Sequence, residues 1–315
     1  MESHRARRRR ARSPRGRPLL YTMLATIVVV GGTAAGTAYV RAQAHADTGA
    51  VSSQSSVTPS ASATASQEAS VEPAAEPSVD RGALLAKAMK SVPAEDGTDV
   101  AVAVLDMDSG DSAVYGDGAF DTASIVKVDI LATLLLQAQD ADRKLTEQEK
   151  TYATAMIEDS DNASATALWT AIGEAGGLDS ANKRFGLTDT TGGDGPLWGL
   201  TQTTAADQLT LLQQVFDDGS KLSDASRSYV RELMGNIAAG QHWGVSAAAD
   251  GSRWALKNGW LARSTTGLWD VNSIGRITAD GHDYLVATLS KGNSTQAKGI
   301  SLVEAVARAA VAVFA

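Results

Sequence analysis

The sequence contains no cysteine, which excludes a disulfide framework, a thiol nucleophile, a cysteine metal site and the lipid-bearing cysteine of a lipoprotein. A fold built from it must stand on its core. Histidine is scarce too: only His4, His45, His242 and His282 occur, and the first two precede the globular part. His242 follows a Gly240-Gln241 joint and His282 an Asp280-Gly281 turn; neither has a His or Cys at metal spacing, so no metal and no cofactor is expected. A Ser-His-Asp triad gains no support, because no Gly-x-Ser-x-Gly elbow is present. Aromatic residues make up 5% of the chain, and Trp243, Trp254, Trp260 and Trp269 read as core or pocket wall rather than a cofactor box.

Positive charge is concentrated at one end. The first eighteen residues hold eight arginines against Glu2, so with a net charge of −8 overall the rest carries −15. Such an acidic remainder is a poor match for a polyanion, and no nucleic-acid partner is expected. Leu19 to Val40 follows without a charge for 22 residues, enough to span a bilayer, with the arginines on its cytoplasmic side. Ala42-Gln43-Ala44 and Ala44-His45-Ala46 resemble signal cleavage sites, but the apolar run exceeds the usual signal core, which favours a retained anchor over a secreted product. The expected organisation is a cytoplasmic basic segment (1–18), a membrane anchor (19–40), a Ser/Ala/Pro-rich disordered linker (41–80) and one extracytoplasmic domain (81–315), monomeric.

Within the domain, Ala83 to Val92 has helical spacing, Asp99 to Met107 alternates as a strand, Asp108-Ser109-Gly110-Asp111 turns, and Ser112 to Tyr115 returns. A helical block follows: a nearly all-apolar run from Ile125 to Leu136, then Thr146 to Ile157, Ala163 to Ile172, Thr203 to Phe216 and Ser223 to Ile237. Strands resume at Arg253 to Leu261, Leu268 to Thr278 and His282 to Ser290, and a helix over Ala297 to Phe314 closes the chain. This predicts an α+β fold whose single antiparallel sheet is built from both ends of the domain around a helical insert.

One residue is out of place in this pattern. Lys127 sits inside the apolar run, although lysine is rarely buried. Ser124, three residues earlier at the helix start, falls on the same face. A desolvated lysine can be neutral and take a proton from a neighbouring hydroxyl, and a helix N-terminus favours developing negative charge. The plain alternative is that Ser124 caps the helix and Lys127 reaches the surface. A second Ser-x-x-Lys at Ser180 to Lys183 lies in a polar stretch after Gly176-Gly177 and is discounted.

Two further elements follow in order. Asp159-Ser160-Asp161-Asn162 separates two helices and also reads as a cap. Leu256-Lys257-Asn258-Gly259-Trp260 is either an Asn-Gly hairpin turn or, with the turn moved to Ser264-Thr265-Thr266-Gly267, one strand carrying Lys257 and Gly259 on a shared face. The sequence Ser-x-x-Lys, Ser-Asp-Asn, Lys-x-Gly in this layout resembles the penicillin-recognising serine hydrolases, nearest to class A β-lactamases, over roughly Asp80 to Ala315. The resemblance implies a β-lactamase/transpeptidase-like fold. It also implies Ser124 as acylated nucleophile, Lys127 as its base, and Ser160 relaying a proton to the leaving nitrogen with help from Lys257. Asn162 would hold the substrate amide, Lys257 and Asn258 its carboxylate, and the backbone N–H groups of Ser124 and Trp260 an oxyanion, with Gly259 allowing close approach.

Two departures matter. Asn258 stands where the family has threonine, and the stretch from Gly186 to Gln202, where class A enzymes carry the glutamate that activates water, has none. It offers only Asp189 and Asp194, which turn chemistry explains, and Glu174 lies outside it on the surface. The expected function is therefore a serine hydrolase acylated by β-lactams with slow deacylation. The alternatives are a D-alanyl-peptidase or transferase acting on peptidoglycan stem peptides, or a catalytically reduced cell-wall-binding protein.

Overall fold

The computed structural model describes residues 79–315. The expected membrane anchor and linker lie outside them; among the described residues no helix is long and apolar enough to cross a membrane.

Helix α1 (Arg81–Met89) is capped by Asp80, whose carboxylate accepts the Ala83 N–H at 2.9 Å. Strands β1 (Asp99–Asp106) and β2 (Ser112–Tyr115) form the first hairpin, and the short β3 (Phe120–Asp121) leads into the helical lobe. That lobe comprises α2 (Val126–Asp140), α3 (Glu147–Glu158), α4 (Asn162–Ala171), α5 (Glu174–Phe185), the short β4 (Gln202–Thr203) paired with β3, α6 (Ala205–Phe216) and α7 (Asp224–Gly235). Then β5 (Trp254–Ala262), β6 (Trp269–Ala279) and β7 (His282–Asn293) complete the sheet, and α8 (Gln296–Val311) closes the chain. The strand order β2-β1-β7-β6-β5, antiparallel throughout, joins the two ends of the domain as the sequence pattern predicts.

The period of two along β1 divides the core. Val102 and Val104 pack with Leu85, Leu302 and Val306 under α1 and α8, while Ala101, Ala103 and Leu105 face Ile125, Ile130 and the helical lobe. Helix α2 passes through the larger of these clusters and is buried on nearly every side, which explains its lack of a polar face.

One helix has no counterpart in the predicted elements. Helix α5 contains Gly176-Gly177, which reads as a breaker, yet Leu178, Ala181 and Phe185 bury one helical face. A Cβ at 177 would lie 1.7 Å from the Ile172 carbonyl oxygen, so glycine is needed there for close packing rather than for a turn.

Candidate active site

Ser124 sits in a single 3-10 turn, Ala123–Ile125, that leads directly into α2; its hydroxyl does not cap that helix. Ala123 takes a left-handed φ of 47°, a conformation a non-glycine residue holds only when its surroundings enforce it. Those surroundings are β5 and β6. Asn272 on β6 donates its amide to the carbonyls of Asp121 (2.9 Å) and Thr122 (3.0 Å). Gly259 on β5 lies so close that a Cβ would come within 2.7 Å of the Ser124 nitrogen and 2.8 Å of the Ile125 nitrogen.

Lys127, in the first turn of α2, is completely buried. Its Nζ donates to the Ser160 carbonyl (2.7 Å), the Ser160 hydroxyl (3.1 Å) and Asn162 Oδ1 (2.8 Å), and it lies 4.9 Å from the Trp198 ring centre. These three bonds use every donor of an ammonium, and none goes to Ser124. Burial lowers the Lys127 pKa to about 8, against an opposing pull from the Asp161 carboxylate. Loss of one proton leaves a lone pair on this nitrogen.

Lys257 enters from the sheet, also fully buried, and donates to the Ser160 hydroxyl (2.9 Å), the Asn258 carbonyl (3.1 Å) and Gln241 Oε1 (3.4 Å). Burial and then the charge on Lys127 push its pKa well down. The Ser160 Oγ therefore lies between two amines whose protons are both loosened. Ser160 has a φ of 58°, outside the range its residue type prefers, in the bend between α3 and α4. Asp161 caps α4 through the Ser164 N–H at 2.7 Å, so the cap reading of this segment holds for Asp161, while the Ser160 and Asn162 side chains on either side meet the Lys127 amine. The Asn-Gly pair is not a hairpin turn: β5 runs through it, and the chain reverses at Arg263 to Leu268 instead.

Ser124, Asn162 and Trp260 line one cleft of about 480 Å³ with Leu197, Trp198 and Arg263. The expectation that Asn258 contacts a substrate is corrected. Strand alternation aims Lys257 and Gly259 at α2, so Asn258 between them faces the other way, where its Nδ2 donates to the carbonyls of Gln241 (2.8 Å) and Trp243 (3.0 Å). It fixes the segment beneath Lys257 and does not line the cleft.

Among the described residues, no aspartate or glutamate lines this cleft. Asp189 and Asp194 are both exposed: the Asp189 N–H is bound to Asp207, and the Asp194 carbonyl accepts the Leu197 N–H. Glu174 is an exposed residue at the start of α5. The loop from Gly186 to Gln202 presents Trp198 to Lys127, and Trp169 secures that loop by donating its Nε1–H to the Gly195 carbonyl at 2.7 Å. Gln241, Trp198 and Arg263 were not singled out from the sequence; they reach the site through long-range packing and carry no local motif.

Residues 148–314, more than half of the chain, match the model of the Beta-lactamase enzyme family. The chain belongs to that family. The matched part holds Ser160, Asn162 and Lys257 to Trp260, with Ser124 and Lys127 just ahead of it. Among solved structures, this family member is similar to a PBP-A mutant described as an acyl-enzyme complex with penicillin G (TM-score 0.65, 21% identity, covering 74% of this chain and 96% of that one). It is also similar to a class A β-lactamase from Bacteroides cellulosilyticus (0.64, 15%, 74% and 98%) and to the TLA-1 extended-spectrum β-lactamase (0.66, 14%, 74% and 98%). At these identities the likeness shows the fold, which is β-lactamase/transpeptidase-like. No curated protein matches the sequence.

Proposed function

We propose that this β-lactamase-family protein is an active-site-serine hydrolase, tethered to the outer face of the cell membrane by its apolar N-terminal segment, that is acylated at Ser124 by β-lactams and releases the acyl group slowly. One observation supports the reading: the Ser160 hydroxyl bridges two buried lysine amines, and Asn162, which also bonds Lys127, lines with Ser124 a cleft in which no carboxylate is found among the described residues.

In the proposed reaction the Ser124 oxygen bonds to the lactam carbonyl carbon, and the carbonyl oxygen gathers negative charge against the Ser124 and Trp260 N–H groups. The Ser124 proton passes to neutral Lys127. As the ring carbon–nitrogen bond breaks, a proton from Ser160, replaced from the lysines, reaches the departing nitrogen. Lys257 supplies positive charge for a substrate carboxylate, and the free Nδ2 of Asn162 is available to a substrate amide carbonyl. Hydrolysis of the resulting ester needs a base for water, and among the described residues the cleft wall offers no carboxylate for that role.

A second reading is a peptidase or transferase on peptidoglycan stem peptides, and that same absence favours the transferase, in which an incoming amine rather than an activated water releases the acyl group. The two are separated by mixing the protein with a chromogenic cephalosporin and, separately, with a stem peptide ending in D-alanyl-D-alanine. The first reading expects a burst of about one product per enzyme followed by slow turnover, and no D-alanine. Rapid multiple turnover of the cephalosporin would overturn the slow-deacylation claim.

A further inference from the structure

Far from the cleft, the fold brings together three residues whose spacing in sequence gives no hint of a site. Strand β1 ends at Asp106, paired with Tyr284 of β7, so His282 at the start of β7 lies beside the β1 terminus. The turn after β1 closes through the Gly110 N–H on the Asp106 carbonyl (2.9 Å) and the Asp106 N–H on the Asp111 carbonyl (2.9 Å), which folds Asp108 back over the same point. His282 Nδ1 is then 3.3 Å from Asp108 Oδ2 and 3.6 Å from Asp106 Oδ2.

We propose that Asp106, Asp108 and His282 form a binding site for one divalent transition-metal ion, zinc being the best match to an imidazole with two carboxylates. Ligand atoms about 2.0–2.2 Å from a tetrahedral zinc stand about 3.3–3.6 Å apart, the separations found between His282 and the two carboxylates. The three ligand atoms all lie within 4.8 Å of one another.

A second observation distinguishes the cluster from ordinary surface acids. The Asp106 side chain is only 7% exposed. Its Oδ1 accepts the Asp108 N–H at 2.9 Å, which fixes the carboxylate and orients Asp108, and its Oδ2 is turned toward the imidazole at a distance too long for a hydrogen bond. The protein thus holds a nearly buried carboxylate oxygen in place with a ring nitrogen facing it and no bond between them. Asp108 and His282 are more than half exposed, which leaves a path for the ion and room for water as a further ligand.

An ion here would fasten the first hairpin to the strand that closes the sheet. Measured by strand spacing, the site is roughly 17 Å from Lys257, three residues along and three strands across, so it is structural rather than catalytic.

The test is isothermal titration of the untagged full-length protein, stripped with chelator, with zinc chloride at pH 7.5, alongside His282→Ala and Asp108→Asn. Both changes are at exposed positions, so the fold is retained. The expected result is one zinc per chain at micromolar affinity, weakened at least about tenfold by either substitution, with a zinc-dependent rise in Tm confined to the unsubstituted protein. Equal zinc binding by His282→Ala, or no binding below 100 µM zinc, would overturn the site and leave His282 as an ion-pair partner of the two aspartates. Acylation of Ser124 is unchanged in both variants, so failure here is separable from failure of the proposed activity.

Discussion

Titrating Lys127 tests its role as the base directly. Burial places its pKa at about 8, so at pH 7 roughly one molecule in ten carries the neutral amine and at pH 6 roughly one in a hundred. Only the neutral form has a lone pair, since the protonated form spends all three N–H bonds on Ser160 and Asn162. The second-order rate constant for acylation by penicillin G should therefore rise about tenfold per pH unit from 6 toward 8 and level off above it. Lys257 sits behind the same Ser160 hydroxyl with its own pKa pushed well down by burial and by the charge on Lys127, so the two amines are coupled and the midpoint belongs to the pair. The assay is quenched-flow mixing followed by intact mass at half-unit pH steps, with Lys127→Met in parallel. A profile flat from pH 6 to 9, or a Lys127→Met variant acylated at the unsubstituted rate, would refute the assignment of the base.

Three further outcomes follow from particular contacts. Gly259→Ala forces a Cβ to 2.7 Å from the Ser124 nitrogen; acylation should fall at least about tenfold and stability by about 1–3 kcal/mol, read from the same mass assay and from denaturant unfolding. Trp198→Glu puts a carboxylate on a loop residue that faces Lys127, and if a missing carboxylate base is what slows deacylation, loss of the acyl adduct should quicken by about a hundredfold; an unchanged adduct lifetime counts against that explanation. Asp129, buried in α2 and bonded by Asn182, has its pKa raised to about 7 by burial, with the Asp179 and Asp207 charges adding to the effect. Because the folded state holds this proton more tightly than the unfolded chain, stability falls as pH rises from about 4 to about 7; Asp129→Asn should be the more stable protein at pH 8, by up to about 4 kcal/mol, and nearly equal at pH 4 in urea unfolding.

What the sequence made legible depended on how local the signal was. The sheet from both chain ends, the buried α2 and the three motifs each show in a few neighbouring residues, and the second turn at Ser264 to Gly267 correctly made β5 continuous through Asn258-Gly259. The same alternation that put Lys257 and Gly259 on one face also turns Asn258 away from the cleft, a consequence that motif matching obscured. Gly177 was misleading because a glycine needed for packing against Ile172 looks the same in sequence as one that ends a helix. Gln241, Trp198 and the Asp106-Asp108-His282 cluster were invisible for a different reason: each is assembled by tertiary contacts between segments distant in the chain, and residue spacing encodes no such proximity.

The most direct test is the intact mass of the protein after brief exposure to penicillin G, followed for hours after the excess drug is removed, beside Ser124→Ala. The account predicts a gain of one penicillin per chain that persists for hours, maps to the peptide bearing Ser124, and is absent from the alanine variant. An adduct on Ser124→Ala, or no adduct on the unsubstituted protein at any time point without concurrent penicillin turnover, would contradict it.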